Sequence, residues 1–361
     1  MCSARVNTGF WHGKKVLITG HTGFKGGWLA LWLASLGAKV YGFSLAPPTE
    51  PNFFTAAQVA AGLAGHTIGD IRDLAQLTDA LQSAAPELVL HLAAQPLVRA
   101  SYVDPVQTYG TNVLGTVHVL EAVRKCPSVR AVISVTTDKC YENREWVWPY
   151  RESDPVGGYD PYSSSKACAE LVTSAYRRSF LAESGVAIAS ARAGNVIGGG
   201  DWALDRLLPD FFRAAQAHRP MQVRHPQAIR PWQHVLEPLG GYLLLAEQLL
   251  EKGQVAAEAW NFGPNEDDAR SVHWLLSQLV TRMPGTSWQQ EGAEQVHEAG
   301  ILKLDSSKAR ARLKWSPHWT LAQALQKSVE WHQAWVAGAP MREASLRQIA
   351  AHQQPIGGAL P

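Results

Sequence analysis

Three groups of residues carry reactive side chains at spacings that chemistry can use. Tyr162 and Lys166 lie four apart in "YDPYSSSKACAEL". On a helix such a pair shares one face, so a phenol and an ammonium enter the same site, and the cation draws the tyrosine pKa toward working pH. A base for an alcohol is built this way. Asp138 and Lys139 stand side by side in "VTTDKCYE", where a β-branched run ends at Thr137. At the carboxyl end of a buried strand they are an acid and a base; on a surface loop they are an ordinary ion pair. Gly20, Gly23 and Gly26 in "LITGHTGFKGGWL" form the third group. Glycines between a strand and a helix permit a tight turn and close approach of a pyrophosphate to the helix N-terminus. Many such turns carry glycine for geometry alone, so the flanking elements decide the weight of this reading.

Those elements are legible. "KKVLITG" reads as a first strand, and "GGWLALWLASLG" as a helix closed by Gly37. "AKVYGF" is a second strand and "GHTIGDI" a weak third; the helix "LTDALQSAA" and the strand "PELVLHLAA" follow. A long helix spans about Val106 to Lys125, and "VRAVISVTT" is a fifth strand that delivers Thr137 and Asp138. Asp160 is placed to cap the helix of Tyr162, with Pro161 in its first position. "GVAIASARAGN" is a sixth strand, "LEPLGGYLLLAEQLLEKG" a helix returning to the sheet, and "AWNF" a further short strand. Continuous Val/Ile/Leu strands separated by helices specify an α/β fold, a Rossmann-type doubly wound parallel sheet covered on both faces. A smaller C-terminal substrate-binding domain completes it. The expected limits are 10–194 for the dinucleotide-binding part, with returning segments near 232–262, then 195–231 and 263–345 for the substrate part, and a weakly held tail over 346–361.

Two conditions attach to the Asp138–Lys139 pair. Each must carry the protonation state opposite to the one it holds in water at pH 7. Burial pushes both in that direction, while their mutual attraction opposes it. Adjacent residues of a strand also point to opposite faces, so the chain must leave extended geometry at Thr137 for both to reach one substrate.

Composition narrows the classes. The chain has 361 residues, 46% hydrophobic and 18% charged, with a net charge of +2. This balance, without a long basic run, argues against a nucleic-acid surface. Cys2, Cys126, Cys140 and Cys168 show no metal-binding or disulfide spacing, and no metal is expected. The absence of an apolar leader and of a stretch near the roughly 20 apolar residues that span a bilayer leads to a cytoplasmic expectation. Fourteen tryptophans are many for this length; Trp146, Trp148, Trp202 and Trp232 fall near candidate site segments, with packing the main role expected and stacking on a base open for one. His225 and His234 read as structural.

The glycine loop, "HLAAQ", "NVLGT" and the Tyr162/Lys166 pair together resemble the extended short-chain dehydrogenase/reductase family. The longer stretches "AAQPLVRASYVDPVQTYGTNVLGT", "VTTDKCYENREW" and "RPWQHVLEPLGGYLLLAE" narrow the resemblance to its nucleotide-sugar 4,6-dehydratases, in the subgroup that acts on CDP-glucose. It runs from about Phe10 to about Lys314. Sister dehydratases carry glutamate where this chain has Lys139.

The resemblance implies NAD as cofactor. Gly20, Gly23, Phe24 and Gly26 would lie at the pyrophosphate, Asp70 and Ile71 near the adenine, Ala93 and Ala94 along the cofactor, and Lys166 on the nicotinamide ribose. Tyr162 would take the C4 hydroxyl proton with Thr137 beside it, Lys139 the C5 proton, and Asp138 would protonate the departing C6 oxygen. Asn195, Arg206, Arg224 and Arg230 would hold the nucleotide diphosphate sugar. A homodimer or dimer of dimers is implied, with deoxysugar (O-antigen) synthesis as the setting. One departure stands: Ser44 occupies the place after the second strand where a ribose-binding acid is usual. With no arginine there either, NAD remains the expectation over NADP. A 4-epimerase or another nucleotide-sugar dehydratase, and a nucleotide-sensing protein without catalysis, are the competing readings.

Overall fold

Period-two alternation in the strands puts successive side chains on opposite faces of a sheet, and the computed structural model shows where those faces go. It describes residues 4–292 and 300–354; Cys2 and the last residues of the expected tail lie outside them. The strands β1 (Lys15–Thr19), β2 (Lys39–Ser44), β3 (Gly65–Ile68), β4 (Leu88–His91), β5 (Ala131–Val135), β6 (Ala187–Ala193) and β7 (Ala259–Phe262) form one sheet. Its order is β7-β6-β5-β4-β1-β2-β3, all pairs parallel. Val16, Ile18, Leu88, Leu90 and Ile133 enter the core on one face, with helices α1 (Phe24–Ser35) and Leu236–Lys252. Leu17, Val89 and Val132 enter the other, with the helices Leu74–Ala84 and Gly115–Arg124. The chain reverses its winding between β1 and β4. The carboxyl ends of these strands therefore flank the crevice in which such sheets bind ligands.

The long helix expected over Val106–Lys125 begins at Pro105, with the Asp104 carboxylate accepting from Gln107 N at 2.8 Å, and is interrupted by a π turn at Gly110–Leu114 before Gly115–Arg124. Spacing alone does not show such a turn, because it keeps the helical direction. Past β6 a second core forms around Phe211, Phe212, Trp232, Leu275, Leu279 and Leu325, with short strand pairs such as Ile229–Pro231 against Ala269–Ser271. The segment expected as a tail from 346 is instead ordered structure through Gln353. A helix over Met341–Gln353 docks on α1, with Ile349 buried, His352 edge-on to Trp32 and its Nε2 3.2 Å from Glu237. Its weak amphipathicity hid it; Ile349 and His352 anchor it. Among the described residues no helix is long and apolar enough to cross a membrane.

Candidate active site

β5 stops at Val135, and the backbone stays extended through Thr137 before turning into a short 3-10 helix, Asp138–Cys140. That change of geometry is the one the adjacent acid and base require. The Thr137 hydroxyl caps the turn, accepting from Lys139 N at 3.3 Å and donating to Asp138 Oδ1 at 2.9 Å. Asp138 is 2% exposed, and its Oδ2 has no hydrogen-bond partner among the described residues. Burial holds its carboxyl above the ordinary range, against the pull of Lys139, the Thr137 hydrogen bond, Arg230 and Lys25. The pair is therefore no surface ion pair.

Tyr162 and Lys166 project from the helix Pro161–Tyr176, whose Asp160 carboxylate accepts from Ser163 N at 2.9 Å and whose first residue is Pro161, as the spacing indicates. Both side chains are buried, and the phenol is within electrostatic reach of Asp138. The expectation that Lys166 draws the phenol down is not met. Burial pushes Tyr162 up to about 12, opposed by a hydrogen bond with Thr137 and by Arg206. The Lys166 ammonium instead donates to the Val135 carbonyl at 3.3 Å, and burial lowers its own pKa to about 8.

One turn further along that helix, Glu170 is fixed by Thr136, by Ser190 at 2.6 Å and by Arg192 at 2.9 Å. Arg192 and Glu170 are each 5% exposed, and Glu170 sustains the charge of Lys166. Removing one partner of a buried pair leaves the other uncompensated. Glu170→Gln is accordingly expected to cost roughly 3–5 kcal/mol, read as a lower denaturant midpoint with an unchanged slope.

The glycine loop meets its geometric requirement. Gly20 has φ +79°, and a Cβ there would lie 2.7 Å from Ala93 N; a Cβ on Gly26 would run into the Gly20 carbonyl. Gly23 caps α1 without any side-chain hydrogen bond, which leaves the first-turn N–H groups facing the crevice. Phe24 opens that helix and packs beside Gly198. Ala93 N donates to Thr19 Oγ1 at 3.2 Å, and Ala94 lies next in the turn after β4. Asn112 clamps that turn to the helix of Tyr162 and Lys166, bonding both backbone groups of Gln95 and the Ser165 hydroxyl. Its type and place in "NVLGT" were the available signal, but what it touches is decided by the fold. Asp70 and Ile71 follow β3; Asp70 pairs with Arg72 at 2.6 Å, and Ile71 packs against Gly115. Ser44 is bonded to the Thr22 hydroxyl at 2.8 Å.

Of the four residues expected at the diphosphate sugar, the fold brings two within electrostatic reach of Tyr162 or Asp138. Arg206 acts on Tyr162 and is held by Asp201 at 2.9 Å. Arg230 acts on Asp138 and donates to the Ile229 and Gly300 carbonyls. Arg224 approaches Asp205 at 3.9 Å, next to Arg206, and Asn195 is half-buried with its carbonyl accepting from Gln233 N. Trp146 stacks on Tyr150, Trp202 meets Trp331 and Trp335, and Trp232 donates to the Arg270 carbonyl, so these three pack; Trp148 is exposed. Lys25, which its spacing did not single out, sits in the first turn of α1 with its Nζ 5.9 Å from the centre of the Tyr242 ring.

Known proteins resemble this chain in sequence and in fold. The chain is 50% identical to a CDP-glucose 4,6-dehydratase of Salmonella typhimurium over 96% of its own length and 98% of that protein. It is 29% identical to a dTDP-glucose 4,6-dehydratase of Xanthomonas campestris, covering 93% and 98%. Among solved structures, a dTDP-glucose 4,6-dehydratase of Bacillus anthracis in complex with NAD superposes with a TM-score of 0.73 at 22% identity, covering 89% and 97%. A UDP-glucose-4-epimerase of Stenotrophomonas maltophila with bound NAD gives 0.77 at 20% identity, covering 90% and 100%. The family described as GDP-mannose 4,6 dehydratase matches residues 17–328. The glycine loop and the Tyr162–Lys166 helix lie within that match, and the chain belongs to this family of extended short-chain dehydrogenase/reductases.

Proposed function

We propose that this protein removes water from CDP-glucose, giving CDP-4-keto-6-deoxyglucose, with NAD as a recycled electron carrier. The observation that carries the reading is the buried Asp138, with half-buried Lys139 next to it, beside Tyr162. A 4-epimerase has no elimination to perform and no use for it. The 50% identity to the Salmonella enzyme supports the same reading and is the ground for cytidine as the base.

The residues present fit NAD. The glycine cradle admits a backbone-close pyrophosphate and α1 offers uncapped N–H groups, with Asp70, Ile71, Ala93 and Ala94 along the crevice and Lys166 toward the ribose. NAD held there would supply a hydride acceptor for C4 and, once reduced, the hydride donor for C6. Tyr162 accepts the C4 hydroxyl proton, and Thr137 hydrogen-bonds the same oxygen. The C4 ketone acidifies C5–H, so a modest base suffices; Lys139 takes that proton. Asp138, kept protonated by burial, gives its proton to the C6 oxygen as the C6–O bond breaks. Arg206, Arg224 and Arg230 hold the diphosphate, for which guanidinium forks are the matching donors, and Asn195 lies with them. In this scheme residues 10–194, with 232–262, carry the cofactor, and residues 195–231 and 263–345 carry the nucleotide sugar.

The test is incubation of the purified protein with NAD and, separately, CDP-, UDP- and dTDP-glucose. Loss of one water from the CDP-sugar without lasting NADH is the expected result. Water loss confined to another sugar corrects the substrate; none at all sinks the dehydratase reading.

We also infer a homodimer. Val103, Val106, Leu114 and Leu171 are each more than half exposed on the neighbouring helical segments around Val98–Leu114 and Pro161–Tyr176, an apolar face of the kind that interfaces cover. Val106→Asp with Leu171→Asp is expected to convert a dimer to monomers in sedimentation velocity. A wild type that already sediments as a monomer ends this inference.

A further inference from the structure

The short helical turn that carries Asp138 and Lys139 ends at Cys140, and a buried polar chain holds the backbone on both sides of it. On the near side Thr136 donates to the Glu170 carboxylate. On the far side stands Tyr141. Its hydroxyl accepts from Arg192 Nη1 at 2.8 Å and donates to Asn261 Oδ1 at 2.8 Å. Arg192 closes the chain by donating to Glu170 at 2.9 Å. Arg192 and Asn261 are register partners on β6 and β7, so the anchor is the parallel sheet itself. Thr136, Tyr141, Glu170, Arg192 and Asn261 are each at most 5% exposed.

Packing alone does not account for the Tyr141 hydroxyl. The ring is already held, stacked on Tyr150 at 5.2 Å between centres, with the Arg192 guanidinium 4.9 Å from its own centre. Backbone bonds from Glu142 N to the Pro155 carbonyl and from Gly157 N to the Cys140 carbonyl direct the chain onward. The phenol oxygen adds a fixed distance between the end of the turn and the sheet. Burial pushes its pKa up, so it remains a hydroxyl that accepts and donates at once. Asn261 is oriented to receive it, because its Nδ2 donates to the Tyr150 and Asp305 carbonyls. An elimination depends on such placement, since a displacement of about 1 Å in a reacting group costs roughly 10²-fold.

We propose that Tyr141, through its hydroxyl, is a positioning residue that holds Asp138 and Lys139 in place for the elimination; this rests on the dehydratase reading above. Tyr141 itself touches no reacting atom. Thr136 and Glu170 keep Thr137 in place from the other side, and Tyr162 projects from a separate helix. Loss of the Tyr141 hydroxyl therefore loosens the acid and base of the elimination and spares the groups that act at C4.

Tyr141→Phe tests this, with Tyr150→Phe as the comparison. The second variant deletes a hydroxyl from the same ring stack, but that hydroxyl bonds Asn143 and Arg144 N, beyond the turn. In single-turnover absorbance with CDP-glucose and NAD, Tyr141→Phe is expected to form NADH at the wild-type rate. It should consume that NADH about tenfold more slowly, with KM unchanged. Tyr150→Phe should match the wild type in both phases. Hydrogen–deuterium exchange of the cofactor-free protein gives a reading independent of turnover. The amides of Lys139, Cys140 and Tyr141 close the turn on Thr137 and Asp138. The peptide that covers them should exchange about fivefold faster in Tyr141→Phe, as one lost hydrogen bond gives. Equal slowing of both phases, equal effects of the two variants, or unchanged exchange of the turn overturns the proposal. Should Tyr141→Phe fail to fold, the wild type decides: turn amides that exchange as fast as those of the largely exposed segment 144–148 overturn it, and slower ones bear it out. If the wild type forms no 4-keto-6-deoxy product, the dehydratase reading fails on its own, and exchange of the turn still decides whether Tyr141 holds it.

Discussion

Asp138→Asn combined with Lys139→Met is expected to abolish water loss from CDP-glucose while leaving oxidation at C4 intact, so that NADH absorbance rises and persists. Asparagine keeps the size of the carboxyl but cannot surrender a proton, and methionine keeps the length of the lysine but cannot accept one. A single general acid or base typically contributes about 10²–10⁴-fold, and two acting on one elimination leave little residual rate. Tyr162, Thr137 and Lys166 are untouched, so the first half of the reaction retains its base. Stopped-flow absorbance with mass detection of the sugar separates the halves. A double variant that still loses water at more than a few per cent of the wild-type rate removes Asp138 and Lys139 from the chemistry. A double variant that interconverts hydroxyl configuration at C4 points to an epimerase.

Tyr162→Phe should fail one step earlier. Without the phenol oxygen no group takes the C4 hydroxyl proton, and kcat is expected to fall by about 10²–10⁴-fold, with no NADH at any time. KM should change little, because Arg206, Arg224 and Arg230 remain to hold the diphosphate, and cofactor binding should survive because Lys166 and the glycine loop remain. Single-turnover kinetics with the same substrate give the answer. NADH accumulating at the wild-type rate in Tyr162→Phe would assign the first proton transfer to another residue. Burial holds this phenol near 12 in the protein by itself. The hydrogen bond with Thr137 and the charge of Arg206 are the protein's own means of lowering it, so Thr137→Val is the companion variant and should move the acid limb of kcat upward.

Much of this was written in local pattern. Continuous apolar strands alternating with helices required a buried parallel sheet. Gly20, Gly23 and Gly26 marked a turn in which two of the three positions have no room for a side chain. Asp160 and Pro161 marked the helix start that places Tyr162 and Lys166 on one face. These features are readable because each depends on residues within a few positions of one another. The helix over Met341–Gln353 was not readable, since its binding depends on Trp32 and Glu237, both more than 100 positions away.

The reactive groups divide the same way. Residue types and spacings alone determined which groups exist: a phenol and an ammonium on one face, and an acid beside a base at a strand end. Their working states came only from the tertiary structure. Whether Asp138 is an acid depends on burial and on Lys25, Lys139 and Arg230, which reach it from three parts of the chain. Lys166 was expected to lower Tyr162, but its ammonium turns to the Val135 carbonyl, and Arg206, just before the helix Leu207–Gln216, is the cation that acts on the phenol. Charge interactions depend on distance through space and on exclusion of water. Both are set when strands and helices far apart in the chain close over one crevice, which no local pattern encodes.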